Sequence, residues 1–191
     1  MSEHRGWFRP RKLPHFDAEV TQSITIHLED SLPKEVLAKL EDDLKDVKSN
    51  RKFERVERIE SLLDNGYGSC ILREPDCAKL VQDSLLFLNG KRFDLRAWAV
   101  MPNHLHFLAR FEAHQSLPDA LHSLKSYTGH ELKKLHPEME VIWQIEYFDR
   151  YIRNEDHYWN AVNYIHNNPV VAKLCKQPED FPWSSAFKEE A

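Results

Sequence analysis

Two histidines separated by a single residue, His104 and His106, are the first side chains whose type and spacing could do chemistry. They follow Pro102 and Asn103 in a segment of alternating polar and apolar residues, which predicts a β-strand, where every second side chain points to the same face. Two imidazoles on one face can share a divalent cation. The alternative is a pair that faces solvent or bonds across the sheet, and a third ligand would decide between them.

A third polar group is predicted on a helix at 156–168. Its polar residues recur at helical spacing and form one stripe, namely His157, Asn160, Tyr164 and Asn168. A tyrosine hydroxyl can attack phosphorus, and the Asn168 carboxamide oxygen, one turn after Tyr164, can bind a hard cation. The alternatives are that Tyr164 lies at the edge of the core and that Asn168 only ends the helix, which we expect Pro169 to stop.

The elements that must position these side chains are a mixture of strands and helices. The segment TQSITIHL at 21–28 alternates and is rich in β-branched residues, residues 92–111 predict a hairpin, and the aromatic segment 141–152 predicts another strand. Further helices are predicted at 74–89 and 116–135. This order favours an α+β fold in which helices cover one face of an antiparallel sheet.

Charge is unevenly distributed along the chain. Residues 29–65 hold eight basic and eleven acidic residues, and the apolar residues among them recur at helical spacing, so we expect a pair of surface helices inserted at 30–65. Residues 1–16 carry four basic side chains against one acidic side chain, interleaved with aromatic residues. That mixture suits stacking on nucleobases and neutralising phosphates, although a solvated chain end has the same composition.

The hydrophobic content, the cysteines and the motifs of the sequence exclude several classes of protein. The 191 residues are 41% hydrophobic, which is typical of one soluble domain, and a membrane-length apolar run or secretion signal is absent, so a cytoplasmic protein is expected. The cysteines at 70, 77 and 175 make neither an even set nor a C-x-x-C pair, so we expect no disulfides and no thiolate zinc site. Phosphate-binding glycine loops are missing, and HELKKLH at 130–136 has Lys134 where a metalloprotease helix needs its second histidine.

Two motifs carry a family resemblance. MPNHLHFL at 101–108 and YIHNNPV at 164–170 resemble the paired motifs of the single-tyrosine HUH transposases, particularly the bacterial REP-associated tyrosine transposases. Similar segments follow in the same order over nearly the whole chain: RGWFRPRKLPHFD at 5–17, LDNGYGSCILRE at 63–74, LKSYTG at 124–129 and WQIEYFDRYIRNEDHYWNAVNYIHNNPV at 143–170. The resemblance implies a ferredoxin-like α+β HUH fold in a single domain, 1–191, with 1–16 as a basic arm.

The resemblance also implies roles for individual residues. His104 and His106 match the metal-binding histidines, Tyr164 the nucleophile and Asn168 the polar third ligand. Oxygen ligands together with water and phosphate favour Mg²⁺ or Mn²⁺ as the ion. The implied reaction is attack of Tyr164 on single-stranded DNA at a REP-like palindromic hairpin, which leaves a 5′-phosphotyrosine and a free 3′-hydroxyl that permits later rejoining.

The expected partner is therefore a single-stranded DNA hairpin. The residues expected to contact it are Arg5, Trp7, Arg9, Arg11, Lys12, Lys125, Arg150 and Arg153, with solvated surface charge as the alternative for the last three. The REP-associated group implies a monomer rather than a dimer. Two other functions stay open: a protein that binds DNA hairpins without turnover, and a metal-dependent phosphodiesterase in which water attacks and Tyr164 is structural.

Overall fold

The computed structural model describes residues 6–7, 15–16, 19–47, 51–112 and 115–189. The strands and helices in these ranges are, in chain order, β1 Gly6–Trp7, β2 His15–Phe16, β3 Thr21–His27, α1 Lys34–Asp43, α2 Arg51–Leu63, α3 Pro75–Leu88, β4 Asp94–Met101, β5 His104–Arg110, α4 Leu117–Leu135, β6 Phe148–Tyr151 and α5 Glu155–Val171. Among them, none of the helices has the length and apolar character needed to cross a membrane.

Four strands form one antiparallel sheet in the order β4-β5-β3-β6. The predicted hairpin is present: β4 and β5 pair from Asp94 opposite Arg110 to Met101 opposite His104. The central strand β5 therefore begins directly after the Pro102–Asn103 turn, where both neighbouring strands are in register with it. The predicted α+β fold with an antiparallel central sheet is confirmed.

Helices cover both faces of this sheet, whereas the order of elements favoured one face. Along β5, Leu105 and Phe107 belong to a core that includes the buried faces of α3 and α4. Leu108 points the other way and packs with Val162 and Ile165 of α5. The pleat places His104 and His106 on the same side as Leu108, so both imidazoles face α5. Helical periodicity identifies an apolar stripe but not the side of the sheet that it covers, which explains the wrong expectation.

Two predicted boundaries are also wrong. The strand expected at 141–152 is limited to Phe148–Tyr151, because Trp143 turns into the core and donates its Nε1–H to Thr128 Oγ1 at 2.9 Å. Helix α5 contains Pro169 and runs on to Val171. A proline cannot donate to the carbonyl oxygen of residue 165, and the helix is held beyond it by Ala172, whose amide donates to the carbonyl oxygen of Asn168 at 2.9 Å.

The helical pair α1 and α2 occurs at the predicted position, and its inner face is buried. Leu40, Leu44, Ile59 and Leu63 form a small core that includes Phe148 of the edge strand β6. The pair therefore packs on the sheet through a substantial apolar contact. It brings the carboxyl end of α2 towards the sheet.

The turn after α2 is fixed by a close backbone approach. Gly68 has a φ of +83°, and a Cβ atom at this position would lie 2.5 Å from the carbonyl oxygen of Asp30. The next amide, of Ser69, donates to Asp30 Oδ2 at 2.7 Å. Only glycine fits such a position, so this turn holds the segment that follows Leu63 in a single path.

Candidate active site

The two histidines of β5 lie buried side by side. His104 and His106 have essentially no exposed surface, and their Nε2 atoms are 2.9 Å apart. Their rings meet edge to face, with centroids 4.5 Å apart. The predicted pairing of the imidazoles is therefore present, and the state of the two facing nitrogens depends on what the other ring nitrogens bind.

The Nδ1 atom of His104 is bonded by Asn103. The two groups lie 2.7 Å apart, with Asn103 Oδ1 facing the ring. The orientation of the carboxamide is set by its other end, because Nδ2 donates to the carbonyl oxygens of Leu63 and Tyr67 at 3.1 and 3.0 Å. Asn103 Oδ1 must then accept, so His104 carries its proton on Nδ1 and a lone pair on Nε2.

A similar relay holds His106. Its Nδ1 atom lies 2.8 Å from Thr25 Oγ1 on β3. The Thr25 hydroxyl also lies 3.5 Å from Glu60 Oε1 of α2, which can accept its proton. Two tautomers of His106 fit these contacts: Nδ1–H donates to Thr25, or Nε2–H donates to His104 Nε2 at 2.9 Å. The first tautomer is the one that metal binding would select, and such outer hydrogen bonds are the usual means by which a metal-binding histidine is oriented.

The two imidazoles carry no positive charge at neutral pH. Burial lowers the pKa of His106 to about 3. Burial, and then the neighbouring His106 and His27, lower the pKa of His104 well below its usual value. Both rings are neutral at pH 7, and two nitrogens about 2.1 Å from one ion at a right angle lie about 3.0 Å apart. The pair thus fits a shared divalent cation.

Two carboxylates from the helical pair reach this site, and sequence analysis missed both. Asp64 Oδ1 lies 3.6 Å from His104 Nε2, and its side chain is only 15% exposed. The potential ligand atoms of Asp64, His104 and His106 all lie within 4.8 Å of one another. Burial, and then the Glu60 carboxylate, raise the pKa of Asp64 to about 7. The four-residue spacing of Glu60 and Asp64 was visible in the sequence, but their proximity to β5 was not.

Helix α5 places Tyr164 against the histidine pair. The rings of Tyr164 and His106 meet at 73° with centroids 5.4 Å apart. Although 42% of the residue is exposed, burial of its hydroxyl end raises the pKa of Tyr164, and the charges of Glu60 and Asp64 raise it further. The residues of the chain therefore keep this phenol protonated at neutral pH.

Asn168 lies one turn after Tyr164 and is buried. Its amide approaches the Tyr164 hydroxyl closely enough to lower the pKa of the phenol. Neither its oxygen nor its nitrogen makes a well-aligned hydrogen bond within the described part of the chain. A buried amide without such bonds is unfavourable, so Asn168 has an oxygen free for a ligand. Its role as a metal ligand remains a prediction.

Most of the predicted DNA-binding arm cannot be placed. Arg5, Arg9, Arg11 and Lys12 lie outside the described residues. Trp7 is described only through its backbone, in β1, where it pairs with His15 of β2. The structure therefore does not test the arm.

The three other predicted contact residues lie in different surroundings. Lys125 donates to the carbonyl oxygen of Ile145 at 3.0 Å and so fixes the segment before β6. The positive charge of Arg150 favours ionisation of Tyr164 and lowers its pKa, so this guanidinium acts on the site. Arg153 precedes α5, with its guanidinium 5.5 Å from the centre of the Tyr151 ring. Of the three, Arg150 has an electrostatic effect on the candidate nucleophile.

A second group with ligand-type atoms lies between the start of α3 and the end of α4. Cys77 Sγ is 3.5 Å from His136 Nε2, which also lies 3.4 Å from Glu74 Oε2. His136 Nδ1 donates to Glu138 Oε1 at 3.1 Å. Burial and the nearby acidic side chains raise the pKa of Cys77 to about 11, so its thiol stays protonated and can donate to His136 Nε2.

Comparison with known proteins bears directly on this site. Residues 77–168 match the family described as Transposase IS200 like, and this range includes both histidines, Tyr164 and Asn168. Over these residues the chain is similar to the IS200-like transposases. The REP-associated tyrosine transposase of Escherichia coli (strain K12) is 31% identical over 102 residues, which cover 52% of this chain and 58% of the relative. The chain thus spans just over half the length of that curated relative.

Structural comparison gives the same relationship at the level of the fold. The solved structure of a REP-associated tyrosine transposase bound to a REP hairpin superposes with a TM-score of 0.59 at 21% identity. The match covers 97% of this chain and 82% of the other. The resemblance to the REP-associated transposases that was stated from the sequence is confirmed, and the fold includes the segments on both sides of 77–168.

Proposed function

We propose that this protein is a metal-dependent single-stranded DNA endonuclease and strand transferase that acts at REP-like palindromic hairpins through a 5′-phosphotyrosine. The observation that supports this most is the contact of Tyr164 with His106, whose Nε2 lies 2.9 Å from Nε2 of His104. A half-exposed phenol thus adjoins a buried pair of nitrogens that could bind a metal ion. The relatives named above are transposases, one of them seen with a REP hairpin.

The proposed metal ligands are His104, His106 and Asn168. The two nitrogens and the amide oxygen, completed by water and phosphate oxygens, favour Mg²⁺ or Mn²⁺. When bound, the cation supplies Lewis acidity: it polarises a non-bridging phosphate oxygen and offsets the carboxylate charges that keep Tyr164 protonated. Asn103 and Thr25 can accept from the imidazoles in the tautomers that ligation requires.

The remaining steps use groups of this chain. The Tyr164 oxygen forms a bond to phosphorus, its proton passes to the Glu60 carboxylate, and the bond from phosphorus to the 3′ oxygen breaks. Of the two carboxylates that raise the pKa of the phenol, Glu60 has the larger effect, which supports it as the acceptor. The 3′ oxygen leaves as a hydroxyl after taking a proton from solvent. The phosphodiester link is retained on Tyr164, so a 3′-hydroxyl can reverse the reaction and join strands without ATP.

Substrate binding is proposed for the basic arm at 1–16 and for three basic side chains elsewhere in the chain. Arg5, Trp7, Arg9, Arg11 and Lys12 are proposed to contact the strand beside the hairpin, and Lys125, Arg150 and Arg153 its phosphates. The net charge of −5 favours a confined contact over a broad basic surface. We expect the protein to act as a monomer and within the cytoplasm.

The decisive test is substitution of the nucleophile. Incubation of the wild-type protein with Mn²⁺ and a labelled single-stranded hairpin is expected to give a covalent protein–DNA band on a denaturing gel. Tyr164→Phe should abolish that band completely, because the phenol oxygen is the linking atom. Tyr127→Phe, which removes a hydroxyl from an exposed position on α4, is the matched control and should leave it intact.

Each other outcome selects a different function. A covalent band that persists in Tyr164→Phe would show that another residue is the nucleophile. Cleavage without any covalent band would favour the hydrolytic phosphodiesterase. Tight hairpin binding with neither cleavage nor a band would identify a binding protein without turnover.

A further inference from the structure

Asn103 links the turn before the histidine strand to the end of α2 and the segment that follows it. Asn103, in the turn before β5, donates to the carbonyl oxygens of Leu63 and Tyr67 at 3.1 and 3.0 Å. These two carbonyls flank Asp64, so the chain that carries Asp64 is held at a fixed distance from the start of β5. The close approach of Gly68 to Asp30 also fixes the turn after α2, which contains Asp64.

A carboxylate oxygen of Asp64 faces the histidine pair, and no hydrogen bond to a described residue accounts for its position. Its Oδ1 is buried and makes no hydrogen bond with the described residues. It lies 3.6 Å from His104 Nε2, beyond a normal hydrogen bond, and that nitrogen presents a lone pair. Two ligand atoms about 2.1 Å from a shared ion lie about 3.0 to 4.2 Å apart for angles from 90° to 180°. The separation of 3.6 Å falls within that range.

A second unsatisfied group lies one helical turn from the nucleophile. Asn168 is buried, and its carboxamide has no well-aligned partner within the described part of the chain. One carboxylate oxygen and one amide oxygen thus lack a well-aligned partner near the two facing imidazole nitrogens. A cation is the simplest group that satisfies several acceptors at once.

We propose that Asp64, supplied by the inserted helical pair, is a further protein ligand of the divalent cation. This inference rests on the proposed function for the existence of the metal centre, and it adds a ligand that the paired motifs around His104 and Tyr164 do not contain. One anionic ligand alters the chemistry of the site. A carboxylate favours Mn²⁺ and Mg²⁺, whereas two imidazoles with an amide would also suit softer ions. The helical pair then belongs to the active centre.

The test measures metal binding in the absence of DNA. Titration of the full chain with Mn²⁺, followed by calorimetry and by the electron paramagnetic resonance of free Mn²⁺, gives the affinity directly. Asp64→Asn is expected to weaken it by about 10- to 100-fold, since it removes the anionic ligand while keeping the size of the side chain. Asp42→Asn, which removes the same charge from an exposed position on α1, is the control and should bind like wild type. Equal affinity of Asp64→Asn and wild type would overturn the assignment.

If Asp64→Asn folds poorly, a spectroscopic measurement on a second variant tests ligation directly. In Asp64→Cys loaded with Co²⁺, a thiolate at position 64 that binds the ion must give a sulfur-to-cobalt charge-transfer band. The comparison is made in the Cys77→Ser background, because Cys77 lies beside His136 and could itself bind Co²⁺. Asp42→Cys in that background should give no such band. Absence of the band in Asp64→Cys, at a Co²⁺ concentration that saturates wild type, would overturn the proposal.

Failure of this inference is distinguishable from failure of the proposed function. If His106→Ala binds Mn²⁺ as well as wild type does, the metal centre itself is wrong and the ligand assignment fails with it. If His106→Ala loses Mn²⁺ and Asp64→Asn does not, only the assignment of Asp64 is wrong. If Asp64→Asn loses Mn²⁺ while wild type forms no adduct with DNA, the ligand assignment holds and the proposed transfer reaction is wrong.

Discussion

Two clusters of this protein bring histidine and carboxylate groups together, one on the sheet and one between α3 and α4. In the sheet cluster, Asp64, His104 and His106 place their potential ligand atoms within 4.8 Å of one another, and Glu74, Cys77 and His136 do the same in the helix cluster. The distances between ligand atoms are similar in the two clusters, but the hydrogen-bond donors near these atoms differ. The helix cluster has a thiol proton that His136 Nε2 can accept, whereas in the sheet cluster Asn103 holds the proton of His104 on Nδ1 and Asp64 Oδ1 has no donor among the described residues.

The comparison shows that ligand geometry alone does not identify a metal site. A histidine that accepts from a protonated thiol is satisfied without an ion, and the raised pKa of Cys77 keeps that thiol protonated. In the sheet cluster, Asp64 Oδ1 faces the histidine pair and has no hydrogen-bond donor among the described residues. An inventory of donors and acceptors separates the two clusters, and the following predictions test that separation.

The largest expected difference is in metal binding. His106→Ala should abolish Mn²⁺ binding, a loss of at least about 100-fold, because it removes one of two facing nitrogens. His136→Ala should leave Mn²⁺ affinity unchanged. Calorimetric titration of both variants is the measurement, and a loss in His136→Ala equal to that in His106→Ala would remove the distinction between the clusters.

A smaller difference is expected when the outer hydrogen bond is removed. Asn103→Ala leaves every ligand atom in place but frees His104 Nδ1, and such changes reduce metal affinity by about 10- to 100-fold. The matched change in the helix cluster is Glu138→Ala, which frees His136 Nδ1 and should have no effect on Mn²⁺ affinity. An unchanged affinity in Asn103→Ala would mean that the tautomer of His104 does not depend on this carboxamide.

The smallest effect concerns the thiol and depends on pH. An acid whose pKa is raised on folding, here from 9.0 to about 11 for Cys77, favours the folded state fully below pH 9, and this contribution is lost as the pH rises towards 11. The wild-type melting temperature should therefore fall more steeply between pH 9 and 11 than that of Cys77→Ser. Thermal melts of both proteins across this range are the measurement. Parallel curves would contradict the proton assignment of the helix cluster.

Much of the fold followed from local patterns in the sequence. The alternation in TQSITIHL predicted β3, and the Pro102–Asn103 turn predicted the hairpin that carries His104 and His106 on one face. Helical spacing predicted that Tyr164 and Asn168 share a side of α5. These features depend on neighbours within a few residues, which is why the sequence alone revealed them.

Features that depend on distant contacts were not predictable in this way. Asp64 and His104 are forty positions apart along the chain, and nothing in the charged pattern of 30–65 shows which carboxylates turn towards the sheet. Helix α5 continues through Pro169 with a backbone bond from Ala172 to Asn168, which no local pattern in the sequence predicted. The use of Trp143 in the core, which shortened the last strand, depends on a hydrogen bond to Thr128 across the fold.

The carboxamide of Asn103 has a consequence for how the candidate site forms during folding. One end of it binds two backbone carbonyls of the segment that closes the inserted helices, and the other end sets where the proton of His104 resides. In a molecule in which that segment has not yet docked, the Asn103 carboxamide would not be oriented, and the proton of His104 would not be held on Nδ1. Formation of the candidate metal site is in this way made conditional on correct folding of a region forty positions away in the chain.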